Sequence, residues 1–176
     1  AGSSNSDWTI FHSTLGGTKA MYLNEQLGSG STGSWNNTNP NANVITLGTA
    51  HVSNLSPNHY IAYAWHDVPG LQKFGSYGGA DAFVELGFRP AVLIIKSESS
   101  SRNWIIIDSE RDKFNPSDRA LLVNDTATED DNSVYAIDFL SNGFRIRGDN
   151  SQIDGDASYV YAAWAEAPAS NLYGGQ

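Results

Sequence analysis

Cysteine is absent from the 176 residues. Disulfides, thiol nucleophiles and cysteine-ligated zinc therefore lie outside this chain's chemistry. Cations are scarce: ten Lys and Arg stand against nineteen Asp and Glu, for a formal charge of −9. A binder of phosphate backbones needs a basic face, so nucleic acid is not an expected partner. No apolar run is long enough for a membrane-spanning helix, so no membrane partner is expected either. The pattern of a secretory leader is not visible, and a first residue of Ala rather than Met reads as a fragment or a processed product. GxSxG, P-loop and dinucleotide fingerprints are missing. Charge itself is nearly missing from the first part, where residues 1–70 hold only Asp7, Lys19, Glu25 and Asp67. A neutral surface rich in Asn, Ser, Thr and Gly suits sugar hydroxyls, a subunit contact or plain uncharged loops, and the last asks least.

What is present is apolar and aromatic. Forty per cent of residues are hydrophobic and 11% aromatic, enough to build a core. Short runs of Ile, Val, Phe, Tyr, Trp and Thr alternate with Gly, Asn, Ser, Asp and Pro clusters, which predicts an all-β fold. The expected strands are 8–12, 20–24, 43–47, 59–66, 91–96, 103–108, 120–124, 134–140, 143–148 and 158–165. Asn142-Gly143 marks a hairpin turn. No segment sustains a helical period.

The chain also repeats itself, which bears on architecture before any motif does. Tyr60-Ile61-Ala62-Tyr63-Ala64-Trp65-His66-Asp67-Val68-Pro69 returns 99 residues later as Tyr159-Val160-Tyr161-Ala162-Ala163-Trp164-Ala165-Glu166-Ala167-Pro168. Residues 19–48 match 119–148 without a gap at an offset of 100, and Trp8–Ser13 matches Trp104–Ser109 at 96. Both copies of the Tyr60 stretch read as a strand buried on both faces. A tryptophan that returns in both halves reads as a core anchor, because each half-core needs a large ring. One domain is expected over 1–176: repeat one 1–69, a turn-rich connector 70–87, repeat two 88–168 and a tail 169–176. The repeats are unequal. Phe88-Arg89-Pro90-Ala91-Val92-Leu93-Ile94-Ile95-Lys96 is the most apolar strand, and nothing before Trp8 echoes it. Either truncation removed its counterpart, or that edge is left open or filled by another chain.

Tyr60–Pro69 and Tyr159–Pro168, with Lys73–Tyr77, Gly87–Ala91, Arg111-Asp112, Asn115-Pro116 and Leu140–Phe144, carry a resemblance. The chain resembles a domain family of unassigned function found in tailed bacteriophages, notably marine and cyanobacterial ones, and in related bacterial sequences. Its members occur in tail-fibre, appendage and other virion-associated proteins. The resemblance implies a concanavalin-like, jelly-roll β-sandwich and a virion or extracellular location. It carries over no catalytic or binding residue.

The candidate chemistry is local. Glycosidases on such sandwiches place alternate acids on one strand face as Glu-x-Asp-x-x-Glu. Asp108-Ser109-Glu110-Arg111-Asp112 approaches this, but Asn115 falls where the last Glu should stand. A strand end running into a turn explains the run as well, and no enzyme activity is expected. Asp149, Asp154 and Asp156, in the run Asp149–Asp156, are oxygen ligands of the kind Ca²⁺ takes. An Asx-rich turn is the competing explanation, and calcium is the only cofactor this chain points to. Glu129-Asp130-Asp131 reads as a solvated acidic loop. His12, His51, His59 and His66 form no HxH or HxxxH pair, which favours isolated hydrogen-bonded histidines over zinc. For ligand binding the polar loop 28–43 stands out, with Trp35 among Asn36, Asn37 and Asn39: a ring to stack on a sugar and amides for its hydroxyls. Trp35 also aligns with Tyr135, which favours the core. Tyr77 and Asp81 in the connector are further candidates. The expected function is a non-enzymatic structural or adhesive module of a fibre, tail or capsid surface. It would assemble with copies of itself or other virion proteins, with a cell-surface glycan as the ligand class. A lectin-like module or a glycan-active hydrolase on the same fold are the alternatives.

Overall fold

The computed structural model describes residues 7–155 and 158–166. The fold is all-β, with several antiparallel sheets and a single-turn 3₁₀ helix at Ser133–Tyr135. Among the described residues eleven strands follow in chain order: β1 Thr9–Ile10, β2 Lys19–Tyr22, β3 Gly30–Ser31, β4 Gln72–Tyr77, β5 Phe83–Glu85, β6 Pro90–Ser97, β7 Ile105–Asp108, β8 Leu121–Leu122, β9 Ile137–Leu140, β10 Gly143–Ile146 and β11 Tyr159–Ala165. They form a five-stranded sheet ordered β4-β11-β6-β7-β8 and two three-stranded sheets, β5-β10-β9 and β1-β2-β3.

Alternation of side chains decides the layers. Leu93 and Ile95 of β6, Ile105 and Ile107 of β7, and Tyr159, Tyr161 and Ala163 of β11 point to one face. There they share a core with Val84, Ile137, Phe139, Phe144 and Ile146 of the β5-β10-β9 sheet, an arrangement consistent with a β-sandwich. The opposite parity, Val160 and Ile94, packs with Trp104 against Ile10, Leu15, Met21 and Leu23. The five-stranded sheet is thus covered on both faces, which is why β6 and β11 read as almost continuous apolar runs.

Two segments expected to be strands are not. Residues 43–47 and 59–66 lie outside any sheet, and their large apolar side chains are exposed. In the second half, the matched residues of β10 and β11 are buried strands. Conversely, the connector expected as a loop contains β4 and β5, and β4 pairs with β11 from Tyr77↔Tyr159 to Gln72↔Trp164. Its core-facing residues are Lys73, Gly75 and Tyr77, an uninformative pattern by hydropathy. Gly75 is small for a reason. A Cβ there would meet the Tyr161 ring, with the hydroxyl 2.6 Å away. The remaining expected strands are found, most of them shorter, with β2 starting one residue early and β6 one residue longer at each end, while β3 falls in the loop expected over 28–43. The Asn142-Gly143 hairpin joins β9 to β10.

Several backbone contacts recur between the halves. Thr9↔Tyr22 and Ile10↔Met21 correspond to Ile105↔Leu122 and Ile106↔Leu121. Ala20↔Gly30 corresponds to the bridge Ala120↔Asp130. Asn24 and Asn124 accept from the backbone N–H of Trp8 and Trp104 through their side-chain oxygens.

His12 ties the N-terminal layer to the main sheet. Its Nε2 lies 3.2 Å from the Tyr161 carbonyl, and its Nδ1 faces the Thr14 N–H and hydroxyl at 3.3 and 2.9 Å. The Tyr161 oxygen can only accept and the Thr14 N–H can only donate. Both contacts are therefore met by the neutral ring protonated at Nε2. Burial lowers the His12 pKa; the bond to Tyr161 and the charges of Asp67 and Glu98 oppose it without reversing it. A base held below its unfolded-state pKa takes its proton first in the unfolded chain. Its stabilisation is thus complete above about pH 6.5 and lost as pH falls from there through the folded-state value. Urea titrations across that window are expected to show stability declining on acidification in the native chain. His12→Gln, which keeps a donor but cannot titrate, is expected to flatten the decline; an unchanged slope would contradict the assignment.

Candidate functional site: an exposed aromatic arm

The arm is residues 60–67. Val68 and Gln72 exchange backbone bonds of 2.9 and 3.0 Å across the Pro69-Gly70 turn, where Gly70 has φ +74°. A positive φ of this kind suits glycine, which has no Cβ to clash. The Gln72 amide donates to the His66 carbonyl at 2.7 Å, and the Phe74 N–H donates to the Asp67 carboxylate at 2.9 Å. These bonds fasten the foot of the arm to β4. At the other end the Tyr60 hydroxyl accepts from Leu55 N–H at 2.9 Å and donates to the His51 carbonyl at 2.8 Å.

Between those anchors the arm is bare. Ile61, Tyr63 and Trp65 are 66, 63 and 58% exposed. Among the described residues, no backbone N–H from Ile61 to His66 has a protein acceptor. The rings continue onto the sheet. Tyr63 and Trp65 are stacked with centroids 6.1 Å apart. Trp65 meets Trp164 of β11 edge-on at 6.3 Å, and Trp164 meets Phe74 of β4 at 5.7 Å. Four aromatic rings therefore run in a row from a free segment to the edge strand of the main sheet. Val44, Ile45 and Leu47 are also exposed. No Asp, Glu, Lys or Arg occurs between Gln26 and His66, and the first charge beyond it is Asp67 at the foot of the arm.

The residues singled out from sequence lie elsewhere and are not brought together. Trp35 is 8% exposed, packs edge-on against Phe11 at 5.8 Å and donates its indole N–H to Lys19 O. Asn36 and Asn37 hold left-handed backbone at φ 49° and 51° in the turn after it, and Asn39 accepts the Gly17 N–H at 2.6 Å. Tyr77 is buried, stacks on Tyr159 at 5.0 Å and donates to Ile153 O. Its pKa is pushed well up by burial, with smaller contributions from Tyr159 and Asp154. Asp81 sits in the exposed β4–β5 turn with φ 54°.

Asp149 is exposed, and Asp154 is buried and accepts the neighbouring Gly155 N–H. Asp156 lies outside the described residues. Among the described residues, no group of three or more His, Asp or Glu side chains is placed to hold a metal ion.

The acids of 108–112 are separately engaged. Asp108 bonds Arg111 and the Glu110 N–H, Glu110 faces Lys113 at 3.8 Å, and Asp112 accepts the Asp118 N–H. Burial alone would raise the Asp108 pKa, but the hydrogen bonds and charge of Arg111 outweigh it and hold the carboxyl low. Glu129 bonds Arg111 at 2.8 Å rather than standing free in water.

With this geometry in view, the family assignment follows from a match to residues 1–168. The chain belongs to the family described as Domain of unknown function (DUF7483). No curated protein and no solved structure matches it.

The arm was legible only as a duplicate strand. The signal that bears on its exposure is that no stretch of residues 1–70 matches Phe88–Lys96, the strand that pairs with its copy β11. Because the arm contributes little to the fold, Tyr63→Ser and Trp65→Ser are each expected to change unfolding free energy by less than about 0.5 kcal/mol. Tyr159→Ala, at the buried match of Tyr60, should cost roughly 3 kcal/mol or more in the same urea titration. Comparable losses at all three positions would mean that the arm is packed.

Proposed function

We propose that this protein is a non-enzymatic structural and adhesive module of a virion or similar extracellular appendage, working in a fibre, tail or capsid-surface assembly. In this reading the sandwich is concanavalin-like, of jelly-roll type, and built from two copies of one sequence unit. The recurring backbone contacts at matched positions support the duplication. The observation that carries the function is the arm 60–65, a strand-type sequence with unpaired backbone and exposed rings beside a finished sheet. Exposed apolar surface joined to free backbone groups marks a place where another chain docks. The partners are copies of the chain or neighbouring appendage proteins.

Recognition of a cell-surface glycan draws on the same row of rings. Tyr63, Trp65 and Trp164 offer aromatic faces of the kind that suits the apolar faces of sugars. A hydrolase would need two free carboxylates at about 5–5.5 or 6.5–9.5 Å. The acids of 108–112, each tied to its own partner, lend that reading no support.

The test is the mass in solution, by light scattering over a range of concentrations. Assembly predicts a trimer or larger species that dissociates in the Tyr63→Ser, Trp65→Ser double variant. A monomer at every concentration contradicts the self-assembling form.

A further inference from the structure

We propose that the arm 60–65 is a strand acceptor, and that its occupant is a branched-aliphatic β-strand with the chemistry of Pro90–Ile95 of β6. The inference rests on the assembly reading above and names what the assembly contact is made of.

The second half shows what the arm's sequence needs. Its copy, β11, is paired along one edge by β6, from Tyr159↔Ser97 to Trp164↔Val92, and along the other by β4. β6 is also the strand that β7 pairs with. The first half contains the counterparts of both neighbours of β6. They are β1, which matches β7, and the arm, which matches β11. No stretch of residues 1–70 matches Phe88–Lys96. Among the described residues β1 pairs with β2 alone, and the arm pairs with nothing between its anchors. One missing strand thus accounts for unpaired backbone N–H groups and for exposed Ile61, Tyr63 and Trp65.

Charge narrows the occupant further. Residues 27–65 contain no Asp, Glu, Lys or Arg, and the matching partner strand is uncharged from Pro90 to Ile95, with Lys96 only at its end, opposite Val160. A strand with charge at its centre would set unpaired ions against the exposed Ile61, Tyr63 and Trp65 side chains. In strand addition the backbone ladder supplies affinity and alternate side chains supply selectivity. Residues Val92 to Ile95 supply both in β6, with Leu93 and Ile95 toward one face and Ile94 toward the other.

The experiment titrates a synthetic peptide of sequence Pro90–Ile95, blocked at both ends, into the purified chain. It follows amide hydrogen exchange at 61–65 and the tryptophan emission. Binding is expected to slow exchange across 61–65 and shift the emission to the blue. A peptide carrying Val92→Asp and Ile94→Asp is expected not to bind. Tyr63→Pro in the protein removes one ladder donor and fixes φ, so peptide affinity should fall roughly ten-fold or more. Its melting temperature should hold, since Tyr63 is unpaired in the fold.

Unchanged exchange at 61–65 under saturating peptide overturns the proposal, as does equal binding by the Tyr63→Pro variant. Protection by a neutral hexasaccharide but not by the peptide also overturns it, and makes the row of rings a sugar platform. Peptide binding to a strictly monomeric chain leaves strand acceptance standing while self-assembly fails. A stable oligomer whose arm ignores the peptide gives the reverse, so the two readings fail separately.

Discussion

β11 is apolar on both faces, and such a strand is stable only where both edges are paired and both faces are covered. β4 and β6 supply its edges, and the β5-β10-β9 sheet and the N-terminal layer supply its faces. The rest of the molecule follows from meeting that demand once. The connector becomes β4 because β11 needs a second edge. Gly75 stays small because Tyr161 needs the space. His12 stays neutral because it spans from the N-terminal layer to the β11 backbone.

The same demand is not met at residues 60–65. Sequence places Tyr, Ala and Trp there as in β11, but no strand among the described residues pairs with them. Their backbone is left to water and their rings are left on the surface, in contact with Trp164 and Phe74. Two related sequences, identical at Tyr60/Tyr159, Ala64/Ala163 and Trp65/Trp164, thus take opposite roles, one central to a sheet and one outside any sheet. Local propensity is the same in both, so the difference comes from context.

How much of this was legible in the sequence follows from the same distinction. The all-β class, β6, β7, β9, β10 and β11 could be read from apolar runs and turn residues, because in those segments burial and pattern agree. β4 could not, because Lys73 and Gly75 face the core and carry no hydrophobic signal. Residues 43–47 and 59–66 were read as strands from composition that their copies do realise; the missing partner strand decided otherwise. Trp35 looked like a ligand platform from its polar neighbours, yet Asn36, Asn37 and Asn39 shape and fasten the turn around a packed ring. The row of four rings was not legible at all, since Phe74, Trp164, Trp65 and Tyr63 come together only through the fold.

The central claim is that 60–65 and 159–164 are equivalent strands, one without its neighbour and one with it. Native-state hydrogen exchange on the isolated chain compares them directly, residue by residue. The amides of Val160 to Trp164 should open only with global unfolding, and those of Ile61 to Trp65 should exchange close to the rate of an unstructured peptide. Protection of Ile61 to Trp65 comparable to that of β11 in a monomeric sample would contradict the account.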